Sequence, residues 1–346
     1  MDAGPDSTDP LVSCARTGGG ALKLIIQIPC WNEEQTLPLA FAALPRQVAG
    51  FDSVETLVID DGSTDRTVEV ARSLGVTHIL RLVTHQGLAA GFQRGVLECL
   101  RLGADVVVNT DADNQYCADD IPRLVEPILR GEADYVIGDR GVQSLAHFSW
   151  LKKKLHRFGT YVVRAASRSN VPDAPSGFRA LSRRAILQLS VHSDYSYTLE
   201  TLIQAGRKDI PLVSVPVRVN PVTRPSRLFK SIPRYVLRSG NTIVRIYLLY
   251  AAFRFFSRGA LALLGLAATL ALAHFLIPLL GAGSAPGPWL LLGSGGLAVG
   301  AFQLLLFACL ADLLAVNRRL LEEQLHYLRS AHFASSGEEP PGSIPK

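Results

Sequence analysis

Two carboxylates and an amide, Asp111, Asp113 and Gln115, stand in the run DADNQ just after the apolar residues Val106, Val107 and Val108. A mostly β-branched run of this kind reads as a buried strand, which places the acids at its carboxyl end. Crevices beyond such strand ends are where open α/β sheets bind ligands. Two acids one residue apart can share one hard divalent cation, and Mg2+ held in that way keeps its other positions for water and ligand phosphates. The chemistry this spacing supports is a metal-diphosphate site. A polar turn after a strand has the same composition, so the rest of the chain must separate the two readings.

Two more polar runs follow strand-like ones: IPCWNEE after KLIIQ, and DDGSTD after ETLVI. Pro29 is expected to end its strand. Trp31 offers a flat face for stacking a base, and Glu33 can accept from a ribose hydroxyl or a base. Asp60 or Asp61 can accept likewise, with Gly62 permitting close approach. Asp65 reads as the cap of the next helix. A calcium loop does not fit, because the full D-x-D-x-DG pattern with its closing Glu is absent. His85 and His192 have no metal-ligand spacing and read as structural.

The elements that must position these residues alternate in type. Residues 23–28, 55–59, 78–82, 105–110 and 134–138 read as strands, and helical patterns lie at 33–44, 65–74, 87–102 and 119–130. Strands alternating with helices predict an α/β domain with a mostly parallel sheet. Beyond Arg140 the character changes. Residues 144–168 mix six Lys and Arg with Phe148, Trp150, Phe158 and Tyr161, and residues 231–258 repeat the mixture before running straight into an apolar stretch. Basic plus aromatic side chains on a helix suit a membrane interface, although a solvated charged face fits the first segment equally well.

Apolar stretches cover residues 259–280 and 288–316, the first uncharged and the second carrying only Asp312. Each exceeds the roughly 20 residues needed to cross a bilayer, and together they predict a membrane hairpin. Arg254 and Arg258 precede it and Arg318 and Arg319 follow it, while the connecting loop has no Lys or Arg. Both ends are therefore expected in the cytoplasm. Residues 1–20 are polar and Gly-rich without the apolar core of a secretory signal, which keeps the N-terminal domain on that side. The expected division is a disordered leader (1–22), a catalytic domain (23–230), juxtamembrane helices (231–258), two spans (259–317) and a cytoplasmic helix and tail (318–346).

The net charge of +5 conceals an asymmetry. Residues 24–139 hold 8 Lys and Arg against 18 Asp and Glu, whereas residues 140–258 hold 21 against 4. The acidic half suits a cation and the basic half suits anions. Because the basic half abuts the apolar stretches, lipid headgroups or a lipid phosphate fit it better than nucleic acid. The five cysteines are odd in number and scattered, without CxxC spacing. This argues for reduced thiols, with neither a zinc site nor a disulfide framework.

The succession IPCWNEE, VIDDGSTDRT, DADNQ, GDR (138–140) and APSGFRA (174–180), then a basic segment and spans, resembles family 2 glycosyltransferases with a GT-A (Rossmann-like) fold. Within that family it is similar to polyprenyl or dolichyl phosphate mannose and glucose synthases. The resemblance implies inverting transfer of a hexose from a nucleotide-diphosphate sugar, such as GDP-mannose or UDP-glucose, to a polyprenyl phosphate. Carried over by position, Pro29, Trp31, Glu33, Ile59 and Asp61 would hold the nucleoside. Asp111, Ala112 and Asp113 would contact the diphosphate, and Asp111, Asp113 and Gln115 would hold Mg2+ or Mn2+. Where the family often continues with His or Asp, this chain has Tyr116. Asp173, Ser176, Gly177 and Phe178 match a segment bordering the sugar, and Glu200 falls where relatives carry an acid near the acceptor.

An ionised lipid phosphate needs no dedicated base; it needs cations that bring two anions together. Arg140, Arg157, Arg224 and Arg227, together with Ser176, are the candidates for the acceptor phosphate, since a guanidinium grips phosphate with two parallel hydrogen bonds. Asp113, Arg140, Asp173 and Glu200 form the expected catalytic set. The partners implied are the nucleotide sugar, the polyprenyl phosphate and membrane lipids; a homo-oligomer sharing the lipid site is compatible with a two-span anchor. Rival readings are a silent sugar-nucleotide scaffold, a transferase with another lipid or glycan acceptor, and a processive polysaccharide synthase. Two spans and the lack of a QxxRW-like motif argue against the last of these.

Overall fold

The computed structural model describes residues 21–141, 157, 160, 161, 163, 164, 167, 169–191, 197–221, 232–280 and 287–335. In chain order the first part forms β1 (Lys23–Cys30), α1 (Leu37–Ala42), β2 (Ser53–Asp60), α2 (Thr67–Ser73), β3 (His78–Arg81), α3 (Leu88–Arg101) and β4 (Val106–Asn109). A 3-10 turn, Ala118–Asp120, then leads into α4 (Ile121–Leu129), followed by β5 (Tyr135–Asp139), β6 (Arg179–Ser182), α5 (Arg183–Gln188), α6 (Tyr197–Arg207) and β7 (Leu212–Pro216).

Seven strands make one sheet in the order β3-β2-β1-β4-β6-β5-β7. β3, β2, β1 and β4 run parallel, so their carboxyl ends open on one edge. β6 is antiparallel to both neighbours, and β7 is parallel to β5. The expected α/β architecture with a mostly parallel sheet is therefore what the chain adopts. Leu24, Ile26, Val106 and Val108 pack with Ile121, Leu124 and Val125 of α4. Ile28 and Val58 pack with Leu37 of α1 and Ala71 of α2. Full burial of such side chains contributes about 1.5–3 kcal/mol each.

Three details depart from the sequence expectation. β1 does not stop at Pro29, which pairs with Ile59. Gln27 turns its carbonyl toward β4, where Thr110 N donates to it, and β4 ends opposite Gln27. Two residues on, the N–H that Pro29 lacks points to that same side, past the end of β4, so no ladder bond is lost. The first helix begins at Leu37 rather than near Glu33, with Pro38 in its first turn, where a missing N–H costs nothing. Finally, β6 and β7 were not expected at all.

By its contacts the chain divides into two units: the sheet domain, and residues 154–168 with the long helices. In the second unit, α7 (Ile232–Leu279) and α8 (Trp289–Ser335) lie antiparallel. A Cβ on Gly259 would meet Leu304 at 3.2 Å, and one on Gly300 would meet Leu263 at 3.6 Å. α7 is broken at Ala251 (φ −138°, ψ 21°), so residues 231–258 do not run uninterrupted into the apolar stretch. The candidate spans are Ala251–Leu279 and Trp289–Phe333. At 1.5 Å per residue, the first is about 44 Å long, more than the roughly 30 Å hydrocarbon core. Their outward surface is apolar, with Leu261, Leu272, Phe275, Leu306 and Phe307 exposed. Most of the basic segment 144–168 lies outside the described residues.

Candidate active site

The loop after β4 carries the acids. Asp113 Oδ1 accepts from Gln115 N at 3.1 Å, and Asn114 takes a left-handed conformation (φ 55°) that Asn tolerates well. The segment after β7 clamps this loop. Asn220 N donates to Gln115 O at 2.9 Å, and Asn220 Nδ2 donates to the carbonyls of Asn114 and Tyr116. From the other side Gly177 lies on Asp111. A Cβ on Gly177 would sit 3.2 and 3.3 Å from the two Asp111 carboxylate oxygens and 3.2 Å from the Tyr197 hydroxyl.

Tyr116 holds that glycine in place. Gly177 N donates to its hydroxyl at 2.8 Å, and its ring stacks on Phe178. Asn109 Nδ2 completes the arrangement by donating to Gly177 O and to Tyr197 Oη, both at 2.9 Å. Tyr116, the residue that departs from the family pattern, thus tethers the SGF segment. Burial pushes its phenol up to about 12.

Asp111 is pushed up to about 7, first by its enclosure in protein and then by the charge of Asp113, with Arg140 opposing. A carboxylate so placed resists ionisation until a cation joins it. Among the described residues no group of three or more His, Cys, Asp or Glu converges as a metal cage. Two acids and an amide instead fit a hard cation completed by phosphate oxygens and water.

The sign of the linkage follows. Between about pH 4 and pH 7 the metal-free folded state keeps a proton on Asp111 that the unfolded chain has released. Stability therefore falls as pH rises through this window. Asp111→Asn removes the penalty: its metal-free thermal midpoint should exceed that of the unaltered protein by several degrees at pH 8 and converge on it near pH 4. Thermal-shift scans across that range check this, and parallel curves would reject it.

Arg140 follows β5 and does not face outward as a free guanidinium. Its Nε and Nη2 donate to the two oxygens of Asp173 at 2.7 and 2.9 Å, and its backbone N adds a third bond at 3.3 Å. Asp173 is fully buried. The pair raises the Arg140 guanidinium further, with Tyr116, Asp173 and Asp111 outweighing the cost of burial. Asp173 thus fixes the orientation of the Arg140 guanidinium.

Arg179, also fully buried, braces the same segment. Nε donates to Ser176 O, Nη2 to Ala174 O, and Nη1 to Thr198 O and the Tyr135 hydroxyl. Nothing in the sequence reading had singled it out.

At the other end of the edge, Trp31 and Asn32 follow β1, Asp61 follows β2 and His85 follows β3. Asn32 (φ 55°) receives Thr64 N on its side chain at 2.8 Å and donates its own N–H to Ser63 Oγ at 2.9 Å. Asp65 bonds the first turn of α2 through Thr67 N and also accepts from Glu34 N. Glu33 is buried and accepts from the Thr36 hydroxyl. Asp61 accepts from Gln86 N at 2.7 Å and Gly87 N at 2.8 Å, and it pairs with His85 Nδ1 at 2.8 Å. The His85 ring stacks on Trp31 with centroids 4.1 Å apart.

The other expected residues divide. Pro29 is half-buried, and Ala112 is buried between Asp111 and Asp113. Ile59 is fully buried, its side chain beneath α3 where a Cβ on Gly95 would meet it at 2.8 Å. Paired with Pro29 on one side and Leu80 on the other, it has no face open to a nucleoside. Ser176 Oγ is buried and lacks a hydrogen-bond partner among the described residues. Glu200 is buried in the first turn of α6, where Gln204 donates to it at 3.4 Å. Arg157 is exposed and belongs to the second unit; Arg224, Arg227 and His192 lie outside the described residues.

A mostly parallel sheet whose carboxyl edge holds an acid pair at one end and an aromatic stack at the other is that of a Rossmann-like α/β domain of the GT-A type. Residues 25–189 match the glycosyl transferase family 2 model. Undecaprenyl-phosphate mannosyltransferase of Micrococcus luteus is 30% identical over 57% of this chain and 83% of its own length. UDP-N-acetylglucosamine–dolichyl-phosphate N-acetylglucosaminyltransferase of Methanococcus voltae is 27% identical over 55% and 83%. The chain belongs to glycosyltransferase family 2. In fold it is similar to glucosyl-3-phosphoglycerate synthase of Mycobacterium tuberculosis, solved with Mn2+, UDP and glucosyl-3-phosphoglycerate. The TM-score is 0.51 at 23% identity, covering 65% of this chain and 80% of that one.

Proposed function

We propose that this glycosyltransferase is a metal-dependent, inverting enzyme that moves a hexose from a nucleotide-diphosphate sugar to a polyprenyl phosphate on the cytoplasmic leaflet. The observation that carries the reading is the pairing of charges at one sheet edge. A strained Asp111–Asp113 couple calls for a cation, and within its electrostatic reach stands an arginine presented by a buried carboxylate. Relatives named for undecaprenyl and dolichyl phosphates support the acceptor, as do the two candidate spans. Mn2+ or Mg2+ in the glucosyl-3-phosphoglycerate synthase complexes supports the cofactor. Residues 23–230 form the catalytic domain in this reading, with residues 231–258 at the interface and the hairpin anchoring them.

Asp111, Asp113 and Gln115 would hold the ion. When bound, it neutralises charge developing on the departing diphosphate. Trp31, Glu33 and Asp61 orient the nucleoside end. Arg140 steadies the anionic groups that must approach one another, in a geometry Asp173 fixes in advance. Asp173 is committed to Arg140 and is not the proton acceptor, which agrees with an attacking phosphate that is already ionised. Gly177, which lies against Asp111, would border the sugar, with Ser176 preceding it in the chain.

The test is a panel of radiolabelled GDP-mannose, UDP-glucose and UDP-N-acetylglucosamine offered to the purified full chain with one polyprenyl phosphate and Mg2+ or Mn2+. A lipid-linked monosaccharide from one donor, lost on chelation, is expected. Transfer only to soluble acceptors, or transfer indifferent to chelator, would overturn the reading.

A further inference from the structure

We propose that His85 is a donor-specificity residue: its outward imidazole edge accepts a hydrogen bond from an imino N–H of the nucleobase. The proposal rests on the nucleotide-sugar reading above and names what sets the choice of nucleotide. The sequence alone gave His85 no role.

Position comes first. The carboxyl ends of β4, β1, β2 and β3 succeed one another along the edge. Three strand spacings of about 4.8 Å separate the first from the last, roughly 14 Å in all. With the diphosphate at Asp111 and Asp113 beyond β4, an extended nucleotide has its base toward β2 and β3. That is where Trp31, Asp61 and His85 stand. The loops after β2 and β3 touch at backbone level there. Gly62 has φ 67°, and a Cβ on it would fall 2.7 Å from His85 N and 2.8 Å from Thr84 C.

Orientation comes next. Asp61 Oδ2 lies 2.8 Å from His85 Nδ1. Nδ1 also lies 3.3 Å from the Asp61 backbone carbonyl, which can only accept a hydrogen bond, so Nδ1 carries the hydrogen. In the neutral ring Nε2 is then an acceptor. The near-parallel stack on Trp31, with an interplanar angle of 18°, fixes the plane of the ring. About half of the His85 side chain is exposed, and with Nδ1 turned to Asp61 and one ring face on Trp31 the Nε2 edge is the polar part of the ring left to meet a base. Stacking on Trp31 would serve any base, whereas an acceptor in the ring plane favours uracil or guanine, which carry an imino N–H, over adenine, which does not.

The experiment is equilibrium titration of the full chain with UDP, GDP, ADP and inorganic pyrophosphate in the presence of Mg2+. The unaltered protein should bind UDP or GDP well above ADP. His85→Ala should weaken the favoured nucleotide about tenfold, the equivalent of one hydrogen bond. Its preference over ADP should shrink to match, and pyrophosphate binding should be unchanged. His85→Phe, which keeps a ring against Trp31 but lacks the acceptor, should show the same loss. Equal losses for all four ligands would mean the loop had merely collapsed. Full affinity in His85→Phe would mean that only the stack matters. Either result overturns the proposal, as does unchanged selectivity in His85→Ala. Failure of transfer to polyprenyl phosphate would sink the acceptor assignment while leaving these titrations as they stand.

Discussion

Asp113→Ala is expected to lower transfer by on the order of 10³-fold at saturating Mg2+, with the thermal midpoint almost unmoved. Loss of the bond from Gln115 N costs about 1 kcal/mol. Two effects offset that cost. The loop stays clamped by Asn220, and Asp111 is relieved of the like charge that helps to hold its carboxyl up. A variant that folds at least as well yet transfers almost nothing would place the role of Asp113 in catalysis and not in packing. Initial rates with a radiolabelled donor, read beside a thermal-shift scan, decide it. Undiminished turnover rejects the metal role. Loss of turnover together with loss of fold would mean that Asp113 is a structural residue.

The acids and the strands that carry them were legible because each part announces itself locally. VVV before DADNQ, and LVI before DDGS, combine a buried strand with a polar edge, and the parallel register then aligns the polar ends without further instruction. The roles of two polar residues inside such runs, Gln27 and Asn109, have no such local mark. The structure pairs them at 2.9 Å in the core, and Asn109 goes on to hold Gly177.

What stayed hidden depends on partners distant in sequence. β6 is a four-residue strand led by an arginine, and a charged residue at the start of a short apolar run argues against a buried central strand. Arg179 is tolerated there only because carbonyls and hydroxyls from residues 135, 174, 176, 198 and 201 surround its guanidinium. The clasp of Asn220 on Asn114, across 106 residues, leaves no local mark. The same holds for Arg140. Its identity could be read from Gly138–Arg140, but its bidentate bond to Asp173 could not.

That bond makes Arg140 the position where fold and chemistry must be separated by choice of variant. Arg140→Ala strands a fully buried carboxylate, and breaking a buried pair from one side costs about 3–5 kcal/mol, so lost activity in that variant would be ambiguous. Arg140→Lys keeps a cation near Asp173 but gives up the planar fork, and Lys is not equivalent to Arg where two parallel bonds are made. It is expected to recover most of the stability while transferring on the order of 10²-fold more slowly. An exposed arginine such as Arg130, just after α4, provides the control, with Arg130→Ala leaving turnover within about twofold. In a double-mutant cycle, Arg140→Ala with Asp173→Ala should be less destabilised than the sum of the single changes, because neither charge is then left alone. Turnover in the double variant should nevertheless stay as low as in Arg140→Ala. Recovered stability without recovered transfer would show that the guanidinium acts on substrate, with Asp173 holding it there. Normal transfer by the lysine variant would show that a charge suffices without the planar fork, and normal transfer by the double variant would reduce Arg140 to a structural ion pair and remove the cation on which the approach of the two phosphates depends.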